Sequence, residues 1–114
     1  MPGDAEALLS KIDGVKGSAI FKKDGNIVAS KLPSGVDEKE LSKTALAMLD
    51  SAKKYIDNAG GSQLSYAIAG GPEGFVATTE GSGFVLVCIT GPESDTDSIS
   101  SKIRKAAEGL KELA

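Results

Sequence analysis

The chain has 114 residues, of which 40% are hydrophobic and 25% charged, and this balance predicts one globular domain. The net charge of -3 argues against nucleic acid as a partner, because DNA and RNA binding needs a positive surface. No apolar run approaches the roughly 20 residues of a membrane span, and the first residues carry no secretion signal. We therefore expect a cytoplasmic protein.

Apolar periodicity predicts three helices and five strands. The helices repeat apolar residues at helical intervals, whereas the strands are short apolar runs separated by glycine-bearing turns. In chain order the predicted elements are helix 4–13, strands 17–23 and 26–30, helix 37–59, strands 63–69, 74–79 and 83–90, and helix 94–113. The order is therefore α-β-β-α-β-β-β-α.

Local signals predict how these elements begin and turn. Asp4, Asp37 and Ser94 are expected as helix N-caps, since their side-chain oxygens can accept hydrogen bonds from the first turn. Glu40 follows Asp37 at the spacing of a capping box. The dipeptide Asp24-Gly25 predicts a two-residue type I′ hairpin turn.

The strand that begins at Phe84 is apolar at every position through Ile89. A strand with one solvated face alternates apolar and polar residues, so a continuous run indicates that both faces are covered. Short connections between the last three strands indicate an antiparallel meander. The predicted fold class is α/β, as an α+β sandwich with one five-stranded antiparallel sheet and helices on both faces.

Residues that support catalysis or metal binding are scarce. The chain has no histidine, which removes the usual general base near neutral pH and any His-bearing zinc site. The single cysteine, Cys88, lies in the apolar strand and is expected to be a buried packing residue. The glycine-rich run 70–74 leads into a strand, so we interpret it as a hairpin turn rather than a phosphate loop. We expect no enzymatic activity, no metal and no cofactor.

The central helix has a wide apolar stripe. At about 100° per residue the stripe spans roughly 140°, whereas a surface helix with one buried side usually shows about 100°. Leu46 falls outside the stripe, among charged residues. Two interpretations stay open: an ordinary exposed leucine on a helix that packs only on its own sheet, or a helix that also contacts a partner protein.

The strand 63–69 ends the predicted meander and could form an open edge of the sheet. It contains no charged residue and no proline, two common protections against unwanted strand pairing. Leu64, Tyr66 and Ile68 share one face of this strand. Such an edge favours pairing with a second copy of the chain across a two-fold axis.

Taken together, the order and spacing of these elements resemble the roadblock (dynein light chain, longin-like) family over nearly the whole chain. The resemblance rests on the first helix with residues 14–20, the segment 24–29, the long alanine- and leucine-rich helix, the meander with Gly74 and Gly83, and the strand 85–87 before the last helix. None of these segments is diagnostic of the family by itself.

The resemblance implies a sheet with the middle helix on one face and the two terminal helices on the other. It implies a non-catalytic homodimer, or a pair with another roadblock chain, that serves as a scaffold or binds a small Ras-like GTPase. Dimers of this family form through the middle helix and the third strand. The dimer contacts carried over to this chain are Leu41, Ala45, Leu46, Met48, Leu49, Leu64, Tyr66 and Ile68.

Arg104 is the only arginine in the chain, and we interpret it as a solvated flank of the last helix. An arginine finger for GTP hydrolysis is therefore not expected, since lysine is a poor substitute for a planar guanidinium.

Two other classes of function fit the sequence less well. A profilin-like actin regulator has a similar arrangement of helices and sheet, but this chain has no tryptophan to help form a groove for proline-rich peptides. A small enzyme or ligand sensor is supported by no set of residues.

Overall fold

The structure is a computed structural model that describes residues 2–12, 14–58, 66–72, 74–81, 83–93 and 95–112, without the side chains of 2–4 and 55–58. The predicted order α-β-β-α-β-β-β-α is confirmed. The elements are α1 (Pro2–Ser10), β1 (Gly17–Lys22), β2 (Ile27–Lys31), α2 (Glu38–Asn58), β3 (Ala67–Gly71), β4 (Gly74–Gly81), β5 (Phe84–Thr90) and α3 (Thr96–Lys111).

The strands form one antiparallel sheet in the order β2-β1-β5-β4-β3. The meander β3-β4-β5 is confirmed, and β1 lies against β5 at the centre. The outer strands are β2 and β3.

Helices cover both faces of this sheet. On β5, Leu86 and Cys88 point to the face that carries α1 and α3, whereas Val85 and Val87 point to the face that carries α2. The prediction that this strand is covered on both sides is confirmed. Burial of apolar side chains in these two layers is the main favourable term in folding, at roughly 25 cal/mol for each Å² removed from water.

Aspartates cap the N-terminal ends of the two longer helices. The Oδ1 of Asp37 accepts hydrogen bonds from the backbone N–H groups of Lys39 (2.9 Å) and Glu40 (3.2 Å), as the sequence predicts. The N-cap of α3 is Asp95, whose side chain accepts from the N–H of Asp97, and not Ser94. The prediction missed this cap by one residue.

The first hairpin has a longer turn than predicted. Lys22 O accepts from Gly25 N–H (2.9 Å), so Lys23 and Asp24 are the central residues of the turn and Gly25 follows them with φ of 94°. This is a three-residue loop, in which glycine takes the left-handed conformation at its last position. The Asp24 carboxylate closes the loop by accepting from Asn26 N–H (2.9 Å).

The predicted bounds of α1 and β3 differ from those in the structure. α1 begins at Pro2, so Asp4 lies inside the helix rather than at its cap. Proline suits the first helical position, since its missing N–H would be unpaired there anyway. β3 begins at Ala67 rather than at residue 63 and continues through two glycines to Gly71, which pairs with Gly74. Residues 63–65 lie outside the described ranges.

Candidate partner-binding surface

The outer strand β3 has little to prevent pairing with another strand. Among the described residues it pairs with β4 alone, and Ala67–Gly71 contains neither a charged residue nor a proline. Its last three residues are exposed. The side of β3 away from β4 therefore presents backbone N–H and C=O groups that another strand could use.

The opposite edge of the sheet is protected in three ways. The β1–β2 register steps from Ile20↔Ala29 to Phe21↔Ile27, so Val28 forms a bulge that interrupts the ladder. β2 also ends in a lysine, a proline follows two residues later, and α1 packs against it. Charge, bulge and cover all discourage pairing at this edge, so within the described ranges β3 is the less protected edge.

Three of the predicted dimer contacts lie in the chain's own core. Leu41, Ala45 and Leu49 are buried against β1 and β5, and Ala45 is fully inaccessible. Their burial explains much of the wide apolar stripe on the central helix without a partner. These three residues can support a partner-binding surface on α2 from beneath, but their own side chains contribute almost no accessible area to it.

Leu46 lies on one flank of α2, above the end of the sheet near the first hairpin. It is half-buried and packs against the core, and it lines a cleft of about 400 Å³ with Lys23, Lys53 and Glu80. The Glu80 carboxylate forms ion pairs with Lys53 and, at 3.8 Å, with Lys23. The leucine that stood out in the sequence is therefore partly covered by its own chain.

Met48 lies on the other flank of α2, roughly 160° around the helix from Leu46 at about 100° per residue. It is half-buried but belongs to neither core cluster of the described residues. Thr44 and Ser51 beside it are exposed, and Ala52 is half-buried. α2 also reaches β3. Small residues around one methionine form a flank that another helix could approach closely.

The sheet separates the predicted dimer contacts into two groups. Tyr66 and Ile68 pack toward α1 and α3, on the face opposite to α2. Tyr66 precedes β3 rather than lying within it. The residues of β3 on the α2 face are Ala67 and Ala69, which pair with Thr78 and Val76. Leu64 lies outside the described residues.

Arg104 is exposed, as the sequence predicts, and its side chain also contacts Tyr66 of its own chain. Its guanidinium donates a hydrogen bond to the Tyr66 hydroxyl (3.3 Å) and lies 5.3 Å from the centre of the tyrosine ring. Hydrogen bonding from Ser100, and then from Arg104, lowers the pKa of the Tyr66 phenol below its usual value. The two residues are 38 positions apart, so no local pattern in the sequence predicts their contact.

The described residues give little basis for catalysis. Cys88 is buried, and this burial raises the pKa of its thiol to about 12, so the thiolate that a nucleophile requires does not form near neutral pH. The described ranges hold no cluster of three or more potential metal-ligating side chains. Within the same ranges, no helix is long and apolar enough to cross a membrane.

Comparison with solved structures shows what this fold is similar to. Myxococcus xanthus MglB superimposes with a TM-score of 0.81 and 19% identity, covering 96% of this chain and 86% of MglB. An MglB structure described as having a tetrameric arrangement gives 0.77 and 16% identity, with 96% and 83% coverage. Acanthamoeba castellanii profilin IA gives a lower TM-score of 0.67 and 18% identity, with 96% and 95% coverage.

Comparison of sequences identifies the family more specifically than comparison of folds does. The chain is 30% identical over 105 residues to the uncharacterized protein MJ0714 of Methanocaldococcus jannaschii, covering 92% of this chain and 89% of that one. Residues 3–90 match the sequence model of the Roadblock/LC7 domain, which is well over half of the chain. The chain belongs to the Roadblock/LC7 domain family.

Proposed function

We propose that this protein is a non-catalytic cytoplasmic adaptor that forms a homodimer and binds a small Ras-like GTPase. The observation that carries the proposal is the outer edge of β3, which among the described residues is unpaired and has neither charge nor proline to protect it. The opposite edge of the sheet is protected, so pairing at β3 gives a closed pair rather than a continuing chain of subunits.

The side chains at this edge suit such a pair. Two β3 strands related by a two-fold axis would join the two sheets into one. On the α2 face, β3 carries only Ala67 and Ala69, so bulky side chains would not hold the two α2 helices apart. We therefore propose a contact set of Met48, Thr44, Ala67 and Ala69, with the buried residues Leu41, Ala45 and Leu49 supporting it from the core.

A GTPase as partner rests on family membership, because roadblock proteins serve as scaffolds or regulators of small Ras-like GTPases. The similarity in fold to MglB, one structure of which is described as a gliding protein of Thermus thermophilus, fits a prokaryotic role of this kind. Another roadblock chain could replace the second copy through the same edge.

The contact of Arg104 with Tyr66 bears on how a GTPase would be regulated. An arginine finger must reach into the nucleotide site of the partner. Here the only arginine is held against its own chain by a hydrogen bond and a ring contact. Any effect on GTP hydrolysis would therefore act by positioning the residues of the GTPase itself.

The proposed partner can be tested by pull-down with a small Ras-like GTPase from the same genome, loaded either with GDP or with a non-hydrolysable GTP analogue. We expect retention in at least one nucleotide state. The Ala69→Lys variant should lose retention if the dimer is the binding unit, whereas Ser30→Lys, which places a lysine at an exposed position of β2, should keep it. No retention in either state would contradict the GTPase proposal.

The profilin-like alternative is favoured by one observation, the structural similarity to profilin IA over nearly the whole of both chains. The similarity is lower than that to MglB and extends to the fold alone. Co-sedimentation with filamentous and monomeric actin separates the two proposals, since inhibition of filament growth would favour the profilin-like role.

A further inference from the structure

The side chains of β3 hold this strand weakly in place. Of the residues Ala67–Gly71, Ile68 is the only large one and is half-buried, and the remaining four are alanine or glycine. Glycine in a strand has more conformational freedom to lose than other residues. Other contacts must therefore order the edge if it is to pair readily.

Such contacts are present immediately before the strand. Tyr66 packs toward the α3 side, where the Arg104 guanidinium lies over its ring and donates to its hydroxyl. Arg104 itself stands on a helix anchored in the core, because Ile103 and Ala106 next to it are buried. A planar guanidinium can contact both the face and the hydroxyl of a tyrosine, and these two contacts restrict the orientation of the ring.

We propose that Tyr66 and Arg104 form a latch that fixes the beginning of β3 against α3 and holds the open edge ready for pairing. This inference rests on the proposed dimer and adds a means of ordering its edge. Both residues are positioning residues, since the pairing groups themselves belong to the backbone of β3.

The latch has a calculable effect on association. When only a fraction of monomers has the binding-competent conformation, the apparent Kd rises by the inverse of that fraction. An exposed hydrogen bond with a ring contact is weak enough that its loss should change the ordered fraction by about threefold. A two-fold dimer contains two latches, so loss of both should raise the dimer Kd by about tenfold.

The first measurement is the dimer Kd by sedimentation for wild type, Tyr66→Phe, Arg104→Ala and the double variant. Lys105→Ala is the matched control, because Lys105 is an exposed cation next to Arg104 on the same helix. We expect a raised Kd for each latch variant, a double variant whose Kd rises by less than the product of the two single increases because the shared hydrogen bond is lost only once, and no change for the control. Unchanged Kd values for both single variants would overturn the latch.

The second measurement is amide hydrogen exchange of residues 67–71 in dilute, monomeric protein. We expect faster exchange at these residues in Arg104→Ala than in wild type or Lys105→Ala, with α3 unchanged. Equal exchange in all three proteins would overturn the latch even if the dimer exists. A wild-type monomer at all concentrations would instead remove the proposed dimer, and this exchange comparison would still decide whether the latch orders β3.

Discussion

At the scale of single residues, burial decides which chemical groups are available. Cys88 lies within the strand that is covered on both faces, and its thiol stays protonated because burial raises its pKa from 9.0 to about 12. Its role as a packing residue was predictable, since the apolar residues on both sides of it define a buried strand. The role of Arg104 was not predictable, because its partner Tyr66 is distant in sequence.

The buried thiol predicts how stability depends on pH. The unfolded chain releases the thiol proton above its ordinary pKa, whereas the folded chain retains it, so the free energy of unfolding should fall between about pH 9 and pH 12. The fall due to this group is up to about 1.4 kcal/mol for each pH unit.

This pH dependence can be measured by urea denaturation of wild type and Cys88→Ala between pH 7 and pH 11. Near neutral pH the alanine variant should be less stable than wild type, since it leaves a small cavity. Its free energy of unfolding should nevertheless decline less steeply above pH 9 than that of wild type. Parallel curves would show that the thiol ionises similarly in both states.

At the scale of elements, length and periodicity determine how accurately the bounds of a helix or strand can be predicted from the sequence. The helices α2 and α3 are long and strongly amphipathic, and both were predicted to within two residues at each end. The bounds of β3 were misplaced because Ile68 is the one large residue among alanines and glycines, so the strand has no apolar alternation by which to locate it. The hairpin turn was misread because its residues suit both a two-residue and a three-residue loop.

The cap of α2 predicts a measurable contribution to stability. Asp37→Ala removes the acceptor for the N–H groups of Lys39 and Glu40 at the start of the helix. We expect the free energy of unfolding to fall by about 1 kcal/mol. Lys43→Ala, at an exposed position further along the same helix, is the control and should change it by less than about 0.5 kcal/mol. If Asp37→Ala lowers the free energy of unfolding no more than Lys43→Ala does, water replaces the Asp37 carboxylate as hydrogen-bond acceptor without loss of stability.

At the scale of the whole molecule, the two edges of the sheet differ. The β2 edge is bulged, charged and covered by α1, whereas the β3 edge has no charged side chain, no proline and, among the described residues, unpaired backbone groups on its outer side. The sequence predicted an unprotected third strand. It did not reveal that Tyr66 and Met48 lie on opposite sides of the sheet. Which face a side chain of β3 points to depends on where the strand begins and how it pairs with β4.

The sedimenting mass of the protein at tens of micromolar tests the central claim most directly. We expect wild type and Ser30→Lys to sediment with twice the chain mass of 11.6 kDa, and Ala69→Lys to sediment with the mass of one chain. Lysine on an edge strand discourages pairing, and two copies facing each other across a two-fold axis would repel. A wild type with the mass of one chain, or an Ala69→Lys variant that stays dimeric, would contradict pairing through β3.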